Sequence, residues 1–140
     1  MAETETILLA EDDENDAFFC KRALKQSGLT QVLVHVPNGE ECIKYLDGQE
    51  PYADRAKYPF PNLLLLDLKM PVRSGFDVLA WMHDHPNLKK LPVIILTGSV
   101  DAEDKAEAWK QGASDFQCKP IEFDELVKIM KALGSRWLKA

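Results

Sequence analysis

The amino-acid sequence predicts a doubly wound α/β sandwich, in which five helices cover the two faces of a five-stranded parallel sheet. Short apolar runs alternate along the chain with longer segments of helical periodicity. The runs are apolar on both faces, as in Leu63–Leu66, which is typical of parallel strands that are buried on both sides. Right-handed crossovers between such strands place the helices above and below the sheet, which gives a three-layer sandwich.

The first half of the chain alternates between strands and helices. Apolar runs predict three strands, at Ile7–Ala10, Val32–Val36 and Leu63–Leu66. A helix that ends at Gly28 is indicated by four residues at helical spacing, Phe18, Phe19, Ala23 and Leu24. A shorter helix is predicted over Glu40–Leu46. Residues 47–61 are polar and interrupted by prolines, which predicts a loop with at most one helical turn.

The second half of the chain repeats this alternation. The apolar run Pro92–Leu96 predicts the fourth strand, and Asp115–Cys118 predicts a short fifth strand. The predicted helices are Phe76–His83, a helix from the cap Asp101 to Gln111, and Phe123–Leu138. The sequence therefore predicts five strands and five helices.

Composition and charge favour a protein of the cytoplasm. The 140 residues fit one domain, which we expect to span residues 1–140 with a core over about 6–138 and no output domain. The net charge of −6 does not attract nucleic acid or anionic lipid, and no apolar run approaches the ~20 residues of a membrane helix. The three cysteines follow no metal-binding spacing and are expected to be buried, reduced thiols: Cys20, Cys42 and Cys118.

Polar and charged side chains follow the predicted strands at their carboxyl ends. The first strand runs into Glu11-Asp12-Asp13, and later strands run into Asp67, Thr97 and Lys119. In a doubly wound sheet these ends converge on one crevice, where ligands bind. We therefore expect an acidic cluster there, with one hydroxyl group and one lysine beside it.

The chemistry of this crevice points to a metal and a phosphoryl group. Carboxylates held close together repel one another, and a divalent cation offsets that repulsion. Oxygen donors without a neighbouring His or Cys favour Mg²⁺ or Mn²⁺ over zinc. With the metal and Lys119 supplying positive charge, the ionised Asp67 can attack a phosphoryl group without a general base. Thr97 can then donate a hydrogen bond to a phosphoryl oxygen.

Most of these residues also have a purely structural interpretation. Asp12 and Asp13 suit the cap of the first helix. Thr97 suits the end of a strand, and Lys119 suits a solvated turn. Asp67 resists such an interpretation, because a carboxylate directly after four leucines has no obvious structural purpose. We favour the functional interpretation because all of these groups meet at one edge of the sheet.

Five pieces of the sequence follow the order and spacing of a known family. They are Leu8–Asp13, Leu65–Pro71, Gly75, Ile95–Gly98 and Cys118–Pro120. With these pieces the chain resembles the receiver domain of two-component response regulators over about residues 7–138. The resemblance implies the flavodoxin-like, CheY-like variant of the doubly wound fold.

The resemblance implies a role for each group in the crevice. Asp67 would be the phosphoacceptor, and Thr97 and Lys119 would assist the transfer. Mg²⁺, or Mn²⁺ in its place, would be bound by Asp12, Asp67, the backbone carbonyl of Lys69, and Glu11 through a water molecule.

The resemblance also implies a switch next to the acceptor. Phe116, three residues before the lysine, would be the aromatic switch residue that moves together with Thr97. Pro120 would follow a cis peptide bond that helps to aim Lys119 into the crevice.

The implied function is signalling by protein contact rather than catalysis with product release. A sensor histidine kinase or a phosphotransfer protein would act upstream, and a protein target not named by the sequence would act downstream. A homodimer through the fourth helix, fifth strand and fifth helix is a further expectation, with Trp109 and Trp137 as candidate contacts. The long stretch at residues 47–61 and the Trp137-Leu138 ending resemble the stand-alone regulators of bacterial phytochrome-type histidine kinases.

Two other functions compete with this interpretation. A phosphatase of the haloacid dehalogenase type needs a second Asp two residues after its nucleophile, and this chain has Lys69 there. A pseudo-receiver, which works as a binding module without phosphorylation, does not need the complete set of crevice residues that this chain retains.

Overall fold

The computed structural model describes residues 5–99 and 101–138, and these form the predicted doubly wound sandwich. The ends of the expected domain, residues 1–4 and 139–140, lie outside the described residues, as does residue 100. The strands are β1 (Thr6–Ala10), β2 (Val32–Val36), β3 (Leu63–Leu66), β4 (Val93–Thr97) and β5 (Asp115–Cys118). The helices are α1 (Glu14–Gln26), α2 (Gly39–Asp47), α3 (Gly75–His83), α4 (Ala102–Lys110) and α5 (Phe123–Trp137). A 3₁₀ turn at Pro86–Leu88 was not predicted.

The sheet is parallel throughout, with the strand order β2-β1-β3-β4-β5. This order places β1 and β3 side by side in the centre, where their carboxyl ends are neighbours. Because side chains alternate between the faces of a strand, each central strand supplies two separate hydrophobic layers. On β1, Ile7 and Leu9 pack with α1 and α5, whereas Leu8 and Ala10 pack with α2 and α3.

Helix α1 begins directly after its N-cap residue, Asp13. The side chain of Asp13 accepts hydrogen bonds from the backbone N–H groups of Asn15 and Asp16, at 2.8 and 3.1 Å, which fixes the first turn. The helix packs on the sheet through its smaller apolar residues, Ala17, Cys20, Ala23 and Leu24. Phe18 and Phe19, which helped to predict this helix, are 57% and 44% exposed and do not face the sheet.

The cysteines follow the prediction in two of three cases. Cys20 and Cys42 are buried, and burial raises the pKa of each thiol to about 12. The expectation is wrong for Cys118, which is exposed. It lies at the end of β5, an edge strand that pairs on one side with β4 alone.

The segment after α2 is a loop, as predicted, but it packs tightly against that helix. Tyr52 and Tyr58 pack around the buried ring of Tyr45, tilted and edge-on to it, with ring centroids 5.1 and 6.0 Å from it. The guanidinium group of Arg55 donates hydrogen bonds to the carbonyl oxygens of Tyr45 and Leu46 at the end of α2. The Tyr45 carbonyl also accepts the N–H of Gly48 at 3.2 Å, so Arg55 adds a second bond there and supplies a partner for Leu46 in the last turn of the helix.

In the described residues, no helix has both the length and the apolar character that crossing a membrane requires.

Candidate functional site

The two central strands bring the predicted acidic residues together. The backbone N–H of Asp67 donates to the carbonyl oxygen of Ala10 at 3.1 Å, which ties the end of β3 to the end of β1. Carboxylate oxygens of Glu11, Asp12 and Asp67 consequently all lie within 4.8 Å of one another. Glu11 is 1% exposed and Asp67 is 5% exposed, whereas Asp12 lies at the surface.

Lys119 directly follows the edge strand β5, and its side chain extends into this acidic group. Its Nζ lies 2.6 Å from Glu11 Oε1, 2.9 Å from Asp16 Oδ2 and 3.0 Å from Asp67 Oδ2. Its backbone N–H donates to the carbonyl oxygen of Thr97 at 2.7 Å, which fixes the start of the side chain. Three ionic hydrogen bonds therefore hold one ammonium group between β1, β3 and α1.

The prediction of a cis peptide bond before Pro120 is wrong, because the structure has this bond in the trans form. The backbone bond to Thr97 and the carboxylates around Nζ already direct Lys119 into the crevice. A cis bond is not needed to aim the side chain.

The pKa values of both Glu11 and Lys119 are raised, which favours the neutral acid on one side and the charged ammonium group on the other. Burial, together with the nearby charge of Asp67, raises the pKa of Glu11 to about 7, although the hydrogen bond from Lys119 opposes that rise. Burial by itself would lower the pKa of Lys119, but the hydrogen bonds to three carboxylates outweigh it and raise that pKa. The lysine thus stays charged while Glu11 is poised to titrate near neutral pH.

This shift predicts a pH dependence of folding stability in metal-free protein. Below pH 4.5 Glu11 is protonated in both states, but above it the unfolded chain releases the proton that the folded chain keeps up to about pH 7. Relative to Glu11→Gln, the free energy of unfolding should therefore fall by about 1 kcal/mol per pH unit across this window. Urea unfolding of both proteins with a chelator present, at several pH values, measures this difference. A constant or growing difference in favour of the wild type would contradict the raised pKa.

The carboxylate of Asp67 is held in one orientation. Its Oδ1 accepts a hydrogen bond from the backbone N–H of Lys69 at 3.3 Å, and its Oδ2 accepts one from Lys119. The loop that supplies the Lys69 N–H passes close to the start of α3, where the N–H of Gly75 donates to Leu68 O at 3.0 Å. The acceptor loop is therefore anchored to a helix on one side and to a lysine on the other.

Thr97 and Phe116 lie on the same side of the sheet. Thr97 is fully buried, and alternation along β4 places it on the face that Val93 and Ile95 share with Phe116. The hydroxyl oxygen of Thr97 accepts a hydrogen bond from the backbone N–H of Ser99 at 3.3 Å. Phe116 is 9% exposed, and Lys105 of α4 lies over its ring at 5.7 Å. Phe116 is thus in contact with α4, and Thr97 is joined to the loop before α4 through Ser99.

A second polar contact joins the loops on either side of the acceptor. Asp104 in the first turn of α4 accepts a hydrogen bond from the Ser99 hydroxyl at 2.7 Å and lies 3.4 Å from the ammonium group of Lys69. These contacts, the one with Ser99 foremost, lower the pKa of Asp104. The start of α4 is therefore linked to both the β3–α3 loop and the β4–α4 loop.

The acidic residues present fit a hard divalent cation. Glu11, Asp12 and Asp67 offer oxygen donors, which Mg²⁺ and Mn²⁺ prefer, and no His or Cys belongs to the group found among the described residues. Asp13 does not belong to this group either, because its side chain caps α1. Of the two residues that suit the cap of the first helix, Asp13 is the one that the structure places there. His35, on the edge strand β2, has its Nε2 2.6 Å from the carbonyl oxygen of Glu11, so its ring is paired with the backbone.

The sequence alone did not identify two residues of this region, Asp16 and Asp104. The signal for Asp16 was available: once Asp13 is recognised as the cap, Asp16 falls in the first turn of α1 beside the crevice. Asp104 has a similar position in the first turn of α4, after the cap Asp101. Both residues depend on where a helix begins, which is the least certain part of a sequence-based assignment.

Comparisons with known proteins find relatives along nearly the whole chain. A family model described as the response regulator receiver domain matches residues 7–131. The response regulator Rcp1 of Synechocystis sp. is 32% identical over 133 residues, which cover 95% of this chain and 88% of that protein. The crystal structure of the phosphorylated cyanobacterial phytochrome response regulator RcpA superposes with a TM-score of 0.87 at 30% identity and covers 96% of this chain and 94% of its own. The Mn²⁺-bound form of Rcp1 gives a TM-score of 0.84 at 31% identity, with 97% and 96% covered.

Proposed function

The chain belongs to the response regulator receiver domain family, and from this membership we propose that Asp67 accepts the phosphoryl group of a phosphorelay. The donor is the phosphohistidine of a sensor histidine kinase or a phosphotransfer protein. One observation carries the proposal most: Asp67 is a buried carboxylate at the end of a central strand, with a lysine ammonium group 3.0 Å from its Oδ2. A group of this kind has the charge and the position of a nucleophile for phosphoryl transfer.

The transfer uses the ionised carboxylate directly. An oxygen of Asp67 attacks the phosphorus atom, the bond between phosphorus and the histidine nitrogen breaks, and the electron pair stays on the imidazole. Lys119 pairs with the negative charge on the phosphoryl oxygens, and Thr97 donates its hydroxyl hydrogen to one of them. The chain thereby assists its own phosphorylation and is not an enzyme that releases a separate product.

We assign the metal to the acidic group on the donor types present. Asp12 and Asp67 would bind Mg²⁺, with Mn²⁺ as the alternative, together with the backbone carbonyl of Lys69 and, through water, Glu11. When bound, the metal neutralises carboxylate charge and stabilises the charge of the phosphoryl group. The Mn²⁺-bound form of the relative Rcp1 and the clustering of Glu11, Asp12 and Asp67 support this assignment.

Phosphorylation then changes the surface formed by α4, β5 and α5. The Thr97 hydroxyl leaves the Ser99 N–H for a phosphoryl oxygen, and Phe116, on the same face of the sheet, moves with it. The resulting surface contacts a downstream protein. The likeness to RcpA supports a phytochrome-type histidine kinase as the upstream partner. We propose the cytoplasm as the location of the protein, and the net charge of −6 argues against nucleic acid or an anionic membrane surface as a partner.

The same surface is our proposal for a homodimer. Trp109 is 44% exposed on α4, and its apolar area is available for such a contact. Light scattering with and without a phosphoryl mimic measures the mass directly. A mass that stays monomeric under both conditions would rule the dimer out.

The experiment that tests phosphorylation is intact mass after incubation with acetyl phosphate and Mg²⁺. We expect one added phosphoryl group, which is absent when a chelator replaces Mg²⁺. If no adduct is seen, binding of the phosphoryl mimic beryllofluoride is measured next, because a short-lived aspartyl phosphate also leaves no adduct. Failure of both would support the pseudo-receiver function and overturn the proposal.

A further inference from the structure

Lys119 has one carboxylate partner that lies outside the acidic group assigned to the metal. Glu11 and Asp67 belong to that group, but Asp16 does not. Asp16 Oδ2 nevertheless lies 2.9 Å from Lys119 Nζ, as close as the Asp67 contact at 3.0 Å. An ammonium group has three N–H donors, and three carboxylates occupy all of them.

A phosphoryl group on Asp67 carries more oxygens and more negative charge than the carboxylate it replaces, so it draws Lys119 away from its other partners, Glu11 and Asp16. The side chains of Glu11 and Asp67 are 1% and 6% exposed, and neither can exchange the lysine for water easily. The side chain of Asp16 is 41% exposed. Water can solvate Asp16 when the lysine leaves it, which makes Asp16 the partner that is released at least cost.

The start of α1 holds Asp16 in this place. The Asp13 side chain accepts the backbone N–H of Asp16 at 3.1 Å, which positions the residue in the first turn. Glu14 is in the same turn and carries the same charge, but it is exposed, and its side chain makes no hydrogen bond or ion pair found among the described residues. The two acids therefore differ in contact with Lys119 while sharing their effect on the helix.

We propose that Asp16 is a positioning residue that holds Lys119 before phosphorylation and competes with the phosphoryl group for it afterwards. This inference rests on the proposed function of Asp67. Asp16 keeps the ammonium group in the crevice of the unloaded protein. Its negative charge, close to that of Asp67, also opposes the arrival of a further anion. Asp16 thus sets how readily Asp67 is loaded.

Beryllofluoride affinity at saturating Mg²⁺ tests the competition. Asp16→Asn removes the competing charge and keeps the shape, so we expect its affinity to be about three- to tenfold higher than that of the wild type. The rate of phosphorylation by acetyl phosphate should rise in the same direction. Glu14→Gln is the matched control, and we expect it to stay within about twofold of the wild type, because its charge acts only through the helix and bulk solvent. Asp16→Glu restores a carboxylate, so its beryllofluoride affinity should lie close to that of the wild type.

A second readout does not depend on the metal. In chelator, amine-specific labelling of Lys119, quantified by peptide mass, should be faster in Asp16→Asn than in the wild type, because one of three ionic partners is gone. A residue that merely stabilised α1 would lower stability without raising the affinity for an anion. Wild-type-like affinity and labelling in Asp16→Asn would overturn the inference. If the wild type itself neither binds beryllofluoride nor forms the adduct, the proposed function fails instead.

Discussion

Asp67→Asn should abolish phosphoryl uptake from acetyl phosphate, lowering the adduct more than about a hundredfold, since the amide is not a nucleophile. Asparagine has the same shape, but its one amide oxygen can replace only one of the two carboxylate oxygens that accept from the Lys69 N–H and from Lys119. Intact mass under the conditions of the wild-type experiment measures the uptake. Urea unfolding of the variant accompanies the test, to separate the loss of the nucleophile from a loss of stability.

Asp13→Asn is the matched control for this variant. Asp13 lies in the same acidic segment, but it caps α1 and is not part of the acidic group. Asparagine caps helices as well as aspartate does, so this variant should keep its adduct. An adduct that persists in Asp67→Asn would show that another residue accepts the phosphoryl group. Loss of the adduct in both variants would show that uptake depends on the acidity of the segment and not on one nucleophile.

Gly75→Ala should destabilise the protein more than any other addition of a single methyl group in the crevice. A Cβ on Gly75 would overlap the carbonyl oxygen of Asp67 and lie 2.9 Å from the Cα of Leu68. Both neighbours are backbone atoms of the acceptor loop and cannot rotate away. We expect a loss of about 2–3 kcal/mol in the free energy of unfolding, together with a displaced Asp67 and a smaller adduct.

Gly98→Ala provides the comparison for this second variant. Gly98 follows Thr97 at the same edge of the sheet, but a Cβ there would meet no atom within 4 Å. The free energy of unfolding of Gly98→Ala should stay within about 0.5 kcal/mol of the wild type. Urea unfolding of both variants measures the difference. Equal stability of the two would mean that the loop can move away from Gly75.

The fold could be predicted because the buried strands are recognisable as short runs of apolar residues. Leu63–Leu66 is apolar at every position, and in the structure each of these leucines is fully buried between two helical layers. The same regularity located Asp67, since a charge directly after such a strand must emerge at the carboxyl edge. The membership of the chain in its family follows from several such strand ends in register.

What the sequence did not predict depends on the arrangement of neighbouring elements. Phe18 and Phe19 suggested a buried helix face, but the face that meets the sheet is made of smaller residues that fit close to the strands. Asp16 escaped notice because its role depends on a lysine 103 positions away. Cys118 was expected to be buried, but β5 is an edge strand. Each case needed the distance between two elements, which no local pattern contains.

The contacts of Asp104 have a consequence for how this protein can diverge from its relatives. Ser99 and Lys69 lie two residues after Thr97 and Asp67, and both bind the side chain of Asp104 on α4. These two side chains thus join the loop of Asp67 and the loop of Thr97 to the start of α4. Under the proposed function α4 is part of the surface that a partner contacts. A substitution of Ser99 or Lys69 should therefore change that surface and the surroundings of Asp67 together.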